Sequence, residues 1–211
     1  MMIVTHLIDL TNPETRLDLY TDCLRLRREV FISSMGWNLH ESFGCEFDQY
    51  DIPASVHLAA VAAGKLVGCL RLLRTDSEHS GTTYMILDAH RGNIPNLPAN
   101  IMQEELASSS VWEASRLAVS PSVEMRMRNS VLVALITAAR SHVVSRGGVT
   151  MLGLMNPIFL RTFRRAGFAV RQFGPVTDQR DGRICVLRWD FETGTDDVGS
   201  VSRSTAPAML T

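Results

Sequence analysis

The sequence predicts a single α/β domain. Segments with strand character alternate with segments of helical periodicity along most of the chain, an order typical of α/β domains. The chain has 211 residues, the size of one such domain, and its 45% of apolar residues is enough for a hydrophobic core. No repeat or internal linker interrupts the pattern, so we expect one domain over residues 1–192. Residues 193–211 are polar and small, which predicts a flexible C-terminal tail.

In the first half, a strand and a helix precede an acidic, irregular stretch at residues 36–54. Residues 2–8, MIVTHLI, have strand character. The helix is predicted to begin with Asn12 as its N-cap and Pro13 in the first helical position. An apolar stripe then recurs at helical spacing, at Leu17, Tyr20, Leu24 and Phe31. Residues 55–75 predict a hairpin with its turn at Gly64-Lys65, and residues 75–109 predict no definite element.

In the second half, strands and helices alternate clearly. Pro121 ends the first strand of this half, and the glycine pair 147–148 closes a long amphipathic helix. The predicted order is strand, helix, strand, short helix and strand, over residues 111–121, 129–148, 149–155, 156–168 and 183–191.

Several classes of protein are excluded or disfavoured. The four cysteines form no CxxC pair or Cys/His ladder, so neither a disulfide framework nor a zinc site is expected. The N-terminus lacks a basic region and carries Asp9, and no run of about 18 apolar residues occurs, so we expect a cytoplasmic protein. No EF-hand layout and no G-x-S-x-G motif is present, which disfavours a metal site and covalent catalysis.

Charge is distributed unevenly although the net charge is −1. Residues 1–113 hold 8 Lys/Arg and 15 Asp/Glu, whereas residues 114–190 hold 12 and 4. The basic half suits an acidic partner or an anionic ligand, although chance clustering of surface charge explains it equally well. No nucleic-acid-binding motif accompanies these arginines, so we expect no nucleic acid partner.

Three arginines interrupt apolar faces, and an acidic stretch is available to answer them. Arg27 falls on the stripe of the first helix, Arg71 shares a strand face with Val67, Cys69 and Leu73, and Arg116 interrupts an apolar strand. A buried unpaired charge costs several kcal/mol, so we expect partners among the acids of residues 46–51. The residues support two readings equally: a structural salt-bridge network, or a polar pocket that grips a charged ligand through bidentate arginines.

The spacing of these residues resembles that of the LuxI-type acyl-homoserine-lactone synthases of quorum sensing. The family pattern is an Arg, a Phe four residues on, a Trp six further on, a Glu-x-Asp-x-x-Asp block, an Arg on a following strand, and Glu-x-x-Arg on a later one. This chain matches it in type and order at Arg27, Phe31, Trp37, Glu46, Asp48, Asp51, Arg71, Glu113 and Arg116. The motifs are strong over about residues 20–120 and looser to about residue 190.

The resemblance implies a fold and a reaction. The fold is that of the GCN5-related N-acetyltransferases, with a mixed central sheet splayed near its middle, here between VWEASRLAV and VTMLGLM. The family's reaction joins S-adenosylmethionine, a substrate rather than a cofactor, to the acyl group of a thioester, usually on acyl carrier protein. It then closes a lactone and releases methylthioadenosine. No cofactor or metal is expected.

The resemblance also implies roles for the matched residues. The amine of S-adenosylmethionine must lose a proton before it attacks, and Glu113 is the expected general base. Arg116 would hold a carboxylate or orient the acids. Phe31 and Trp37 would face the sulfonium or the adenine, with hydrophobic closure of the first helix as the alternative. The remaining matched residues would complete the S-adenosylmethionine pocket and its ion-pair network.

The second substrate should meet two further groups of residues. The acyl pocket is expected along residues 151–155, where Gly153 takes the place of a Thr frequent in makers of 3-oxo products, which favours an unsubstituted chain. The apolar lining would be Met151, Leu152, Leu154 and Met155. The segment SPSVEMRMRNSV lacks the Gly-rich loop that grips coenzyme A, which favours an acidic carrier protein, although acyl-CoA stays open. Its docking patch would be Arg126, Arg128, Arg161, Arg164 and Arg165, with a solvated helix face as the alternative.

Two other functions stay open at the level of sequence. One is a conventional N-acyltransferase that uses acyl-CoA and another amine, against which the missing Gly-rich loop and the acidic block count. The other is a degenerate, non-catalytic binding member of the family, against which Glu113 and the full Arg/Asp set count. We expect a monomer or a weak dimer with no membrane partner.

Overall fold

The structure is a computed structural model that describes residues 2–180 and 182–191. The predicted C-terminal tail, residues 193–211, lies outside the described residues.

A mixed sheet of eight strands forms the centre of the described part of the chain. Its order is β1-β4-β5-β6-β7-β10-β8, with β9 paired to β10. The neighbouring strands β6 and β7 are parallel, and the other pairs are antiparallel. A separate two-stranded hairpin, β2-β3, stands in the acidic stretch. The strands are β1 Val4–Asp9, β2 Glu41–Ser42, β3 Cys45–Glu46, β4 Val56–Ala62, β5 Lys65–Arg74, β6 Val111–Val119, β7 Thr150–Met155, β8 Val170–Gln172, β9 Thr177–Gln179 and β10 Gly182–Asp190.

Helices cover both faces of the sheet. The long helix α3 buries one side against the largest hydrophobic cluster, together with residues such as Leu58, Leu70 and Leu72. Helix α1 covers the opposite face over Ala59, Cys69 and Ala118. Within the described residues, no helix has both the length and the apolar character needed to cross a membrane. The helices are α1 Leu17–Arg27, which continues as a π-helical segment Arg28–Ser34, α2 Met85–His90, α3 Met125–Ser145 and α4 Phe159–Arg165.

The two parallel central strands diverge. β6 and β7 pair only from Val111↔Thr150 to Glu113↔Leu152, although β6 continues for six more residues and β7 for three. The predicted mixed α/β sheet with a splay near its middle is therefore confirmed. The gap opens immediately after Glu113, which places that residue at its apex.

The first helix differs from the sequence prediction. It begins at Leu17, because the Asn12 side chain forms a local turn: its Oδ1 accepts a hydrogen bond from the backbone N–H of Glu14 at 2.9 Å. Asn12 as N-cap and Pro13 as first helical residue are therefore wrong. Of the predicted stripe, Leu24, Arg27 and Phe31 are buried, whereas Leu17 is exposed and Tyr20 is half-buried. The helix also buries Leu19, Cys23 and Leu26.

The β4–β5 hairpin also differs in detail. Its turn is Ala63-Gly64 rather than Gly64-Lys65, and both turn residues have positive φ (49° and 73°), which matches the twist of the flanking strands. After the turn, β5 has a bulge at Val67, opposite Ala60 and Val61, which shifts the register by one residue. Val67 therefore packs on the α3 side, whereas Cys69 and Arg71 keep the predicted common face.

Candidate active site

Three arginines and three carboxylates form a closed ion network between α1, the acidic stretch and the central strands. Arg27 donates from Nε to Glu46 Oε2 at 2.5 Å and binds Asp51 with both terminal nitrogens at 2.7 and 2.8 Å. Arg71 Nη1 lies 2.5 Å from Asp48 Oδ1 and 3.0 Å from Asp51 Oδ1. Each of the six side chains forms ion pairs with two others. The network is closed by Arg116, which reaches Glu46 at 3.1 Å and Asp48 at 2.6 Å.

The network is buried and electrically balanced. Arg27, Arg71 and Glu46 are at most 1% exposed, whereas Arg116 and Asp48 keep 10% and 11% of their side chains exposed. Burial alone would raise the pKa of Asp48, but the Arg71 and Arg116 guanidinium groups outweigh it and hold that pKa below its usual value. Arg71 and Arg27 lower the pKa of Asp51 in the same way. Asp48 and Asp51 are therefore ionised at neutral pH, and the network joins three arginines to an equal number of acidic side chains.

A second bulge turns Arg116 into the network. Arg71 pairs with Ser115 and Cys69 pairs with Ala118, so β6 contains one extra residue at this point. Arg116 has a φ of 54°, a strained conformation for a non-glycine residue that costs about 1–3 kcal/mol and is typical of functional sites. As a result Ser115 and Arg116 both face α1, and Ser115 Oγ accepts a hydrogen bond from Arg71 Nε at 3.1 Å.

The acidic stretch is organised by its own carboxylates. Asp51 Oδ2 accepts a hydrogen bond from the backbone N–H of Asp48 at 2.8 Å, and Asp48 Oδ1 accepts one from the N–H of Tyr50 at 2.9 Å. These bonds close a tight turn that holds both carboxylates toward the arginines. Glu41, at the start of this stretch, pairs with Arg28 on the surface.

An aromatic pair stands at the more accessible side of the network. The π-helical segment widens the chain after Arg27, and Phe31 and Trp37 stack with ring centroids 5.1 Å apart and planes 14° apart. The Arg116 guanidinium lies 5.8 Å from the centroid of the Phe31 ring. Phe31 is buried and Trp37 is half-buried. The aromatic surface and the most exposed arginine therefore adjoin each other.

Glu113 has a different environment from the other acids. It is fully buried, and its Oε1 accepts a hydrogen bond from the backbone N–H of Ile86, in the first turn of α2, at 2.7 Å. Among the described residues, its Oε2 has no hydrogen-bond partner. Burial raises the pKa of Glu113, and the nearby Arg71 charge and the Ile86 N–H only partly offset this. Glu113 is thus a carboxyl group whose proton is held more tightly than usual.

Several polar residues around the site were not predicted from the sequence. His57 lies opposite Arg71 in the hairpin; burial lowers its pKa to about 3, which keeps the ring neutral beside Asp51. Tyr50 lies under the Arg71 guanidinium, 5.5 Å from its ring centroid, and donates its hydroxyl proton to Asp88 Oδ2 at 2.8 Å. The pairing of His57 with Arg71 depends on the bulge opposite Ala60 and Val61, which the sequence does not reveal. The sequence of α2 likewise carries no signal for the hydrogen bond between Tyr50 and Asp88.

The predicted acyl-pocket residues divide between the two faces of β7. Leu152 and Leu154 belong to the hydrophobic cluster around α2, whereas Met151 and Met155 pack with the α3 cluster. A side chain added at Gly153 would meet Met155 Cε, Trp189 Cζ3 and the Ala114 carbonyl oxygen at 3.1 to 3.3 Å. Gly153 therefore lies where the gap between β6 and β7 opens. The assignment of these residues to an acyl pocket stays a prediction.

The predicted docking arginines lie in two places, the first turn of α3 and helix α4. Arg126 and Arg128 are in the first turn of α3, where Arg126 pairs with Glu124 and Arg128 donates to the carbonyl oxygens of Val123 and Pro121. The other three, Arg161, Arg164 and Arg165, are exposed on or at the end of α4. Docking by these residues stays a prediction. Within the part of the chain that the structure describes, no cluster of three or more His, Cys, Asp or Glu side chains is arranged to hold a metal ion.

Comparison with known proteins gives a consistent result. The family model described as autoinducer synthase matches residues 12–196. An acyl-homoserine-lactone synthase from Ralstonia nicotianae is 30% identical over 176 residues, which is 80% of this chain and 80% of that protein. The structure of BjaI, a CoA-dependent acyl-homoserine lactone synthase with SAM and isopentyl-CoA, superposes with a TM-score of 0.71 and 22% identity, over 90% of this chain and 84% of that one. A putative N-acetyltransferase from Lactobacillus plantarum shares the fold, with a TM-score of 0.56 and 12% identity over 90% and 99% of the two chains.

Proposed function

Because the chain belongs to the autoinducer synthase family of acyl-homoserine-lactone synthases, we propose that it acylates the amine of S-adenosylmethionine and then closes the lactone. The observation that carries the proposal is the convergence of all nine matched residues around the apex of the splayed sheet. A balanced ion network, an aromatic pair and one buried carboxyl group of raised pKa adjoin each other there.

The ion network forms the wall of the pocket, and most of it does not bind the ligand directly. Arg27 and Arg71 are buried, and their guanidinium groups are already paired with carboxylates, so they have little capacity to bind a ligand. Arg116 is the most exposed of the three arginines and lies beside Phe31. We assign the S-adenosylmethionine carboxylate to Arg116, and the sulfonium or adenine to the surface of Phe31 and Trp37. Both readings of the sequence therefore apply, each to a different part of the network.

Glu113 supplies the base for the first step. The ammonium group of S-adenosylmethionine gives a proton to Glu113, directly or through a water, and the freed amine attacks the thioester carbonyl. The amide bond forms, the carbon–sulfur bond of the thioester breaks, and the leaving thiolate takes up a proton. A carboxyl group with a raised pKa is a stronger base than an ordinary one, which suits this proton transfer near neutral pH.

The second step is mainly a matter of position. One oxygen of the substrate carboxylate attacks the carbon next to the sulfonium, the carbon–sulfur bond breaks, and methylthioadenosine leaves with the bonding electrons. No proton transfer is needed, so the pocket contributes by holding the carboxylate folded against that carbon. Arg116 and the aromatic pair are placed to restrict the substrate in this way.

The acyl chain is assigned to the gap between β6 and β7, lined by Leu152, Gly153, Leu154 and the two methionines of β7. We favour acyl carrier protein as the donor for two reasons. The turn before α3 contains no glycine and so lacks the Gly-rich loop that grips coenzyme A. The arginines of the first turn of α3 also complement an acidic partner in charge. Acyl-CoA is the alternative, and the similarity to the CoA-dependent BjaI supports it.

The test is a product assay with a matched variant. Purified protein is incubated with S-adenosylmethionine and a panel of acyl carrier protein and acyl-CoA thioesters, and methylthioadenosine and the lactone are followed by mass spectrometry. We expect both products in equal amounts with at least one thioester. The control is Glu113→Gln, which retains an oxygen for the Ile86 N–H but has no basic group. Failure of the native chain to form either product with any thioester would overturn the proposal, and an acylated product of another amine would favour a conventional N-acyltransferase.

A further inference from the structure

Helix α2 contacts the catalytic region through more than one residue. It is a short helix, and Met85 through Ala89 are all buried. Its Ile86 N–H binds Glu113, and the sulfur of Met85 lies 3.7 Å from Arg116 Nη1. The position of this helix therefore affects both Glu113 and Arg116.

Asp88 fixes α2 from the other side. Its Oδ2 accepts a hydrogen bond from the Tyr50 hydroxyl at 2.8 Å. Its Oδ1 accepts one at 2.9 Å from the hydroxyl of Thr83, which lies just before the helix. Asp88 is 7% exposed, so losing these bonds would leave polar groups without partners in a dry environment. Tyr50 is in turn held by Asp48 and lies under Arg71. A continuous chain of contacts thus joins the ion network to α2 and, through Ile86, to Glu113.

We propose that Asp88 is a positioning residue for the acylation step: it holds α2 so that the Ile86 N–H stays on Glu113 Oε1 and Oε2 is left to accept the proton of the substrate amine. This inference rests on the proposed function. The Ile86 bond stabilises the ionised carboxylate, so displacing it makes Glu113 harder to ionise at a given pH. The structural alternative is that Asp88 only stabilises α2.

The pH dependence of acylation distinguishes these two roles. The charged groups that act on Glu113 are Arg71 and Asp48, and Glu113 in turn acts on Tyr50 and Tyr84. Asp48 is ionised far below neutral pH, and the pKa values of both tyrosines are raised, chiefly by burial. The acidic limb of the pH–rate profile therefore reports Glu113.

The experiment measures single-turnover acylation from about pH 5 to about pH 9, together with S-adenosylmethionine affinity, for the native chain, Asp88→Ala, Asp88→Asn and Thr83→Val. We expect Asp88→Ala to move the acidic limb upward by about one pH unit, so that its rate falls about tenfold on the acidic limb and approaches the native rate on the alkaline plateau. Substrate affinity should stay within about twofold. Asp88→Asn retains one acceptor oxygen and should restore most of the native profile.

The matched control is Glu105→Gln, which breaks an exposed pair with Arg91 at the end of α2 and should leave the profile unchanged. The inference would be overturned if Asp88→Ala lost the same fraction of its rate at every pH. If Asp88→Ala does not fold, Thr83→Val takes its place, and an unshifted profile in that variant would overturn the inference. Absence of lactone with the native chain would instead overturn the proposed function, so the two failures are distinguishable.

Discussion

Asp51 and Glu113 are both buried carboxyl groups close to Arg71, yet their environments oppose each other. Asp51 binds Arg27 through two hydrogen bonds and lies 3.0 Å from Arg71, and these charges lower its pKa. Glu113 is held by backbone N–H groups of α2, with no ion pair within the described residues, and burial raises its pKa. A buried carboxyl group that is fully paired with arginines thus stays charged and has a structural role, whereas one without an ion pair becomes a titratable group. The site therefore consists of a charged wall, formed by the ion network, and one reactive group, Glu113.

The largest effect should follow from removing the reactive group. Glu113→Gln is expected to lower the acylation rate by about 10²–10⁴-fold, the usual contribution of a general base, while S-adenosylmethionine affinity changes little. Rapid-quench assays and calorimetric binding measure the two quantities. An equal loss of rate and affinity would show that Glu113 has a structural role like the acids of the wall, and not a catalytic one.

Removing a charge from the wall should instead unfold the protein more easily. Arg27→Met removes one of the two guanidinium partners from each of the buried acids Glu46 and Asp51, so we expect the free energy of unfolding to fall by about 3–5 kcal/mol. The neighbouring Arg28→Met breaks an exposed pair with Glu41 and should cost at most about 1 kcal/mol. Urea unfolding of both variants tests this, and similar losses from the two would show that the network is not a scaffold.

Acid should weaken the wall as well. Asp48 and Asp51 have folded-state pKa values below their unfolded values, so their stabilisation is complete above an unfolded pKa of about 4 and is lost as pH falls further. We expect the free energy of unfolding to drop by about 2 kcal/mol between about pH 7 and about pH 3. Stability that is constant or rises over this range would contradict the assigned charges.

Much of the wall could be predicted from sequence, because an arginine on the apolar stripe of a helix demands an acid and only one acidic stretch lies nearby. Arg27 with Glu46 and Asp51 is the clearest case. The reactive side could not be predicted in the same detail. The bulge that turns Arg116 inward, the register that sets His57 against Arg71, and the contact of Glu113 with α2 all depend on one-residue shifts or distant packing that no local pattern encodes.

The acyl end of the site should respond more weakly. Gly153→Ala adds a methyl group within 3.1–3.3 Å of Met155, Trp189 and Ala114, which narrows the gap between β6 and β7. If this gap holds the acyl chain, kcat/KM should fall by about tenfold for long chains relative to short ones. Competition assays with mixed thioesters measure the ratio, and an unchanged ratio would move the acyl pocket elsewhere.

The smallest effect should be a gain in stability from Glu113→Gln. A carboxyl group with a raised folded-state pKa contributes stability below its unfolded pKa and loses it as pH rises through the folded value. The Gln variant should therefore be more stable than the native chain near pH 8, by about 1 kcal/mol, and should lose this advantage near pH 4. Urea titrations at both pH values measure the gain, and a less stable variant at pH 8 would contradict an unpaired carboxylate.

The most direct test is a carbon-13 NMR titration of the side-chain carboxyl groups, with Glu113→Gln and Asp51→Asn used to assign the two signals. We expect Glu113 to titrate above the ordinary glutamate value of about 4.3, and Asp51 to stay ionised below the ordinary aspartate value of about 3.9. A Glu113 signal that titrates at or below about 4.3, or an Asp51 signal above about 3.9, would contradict the division of this site into a charged wall and a single reactive carboxyl group.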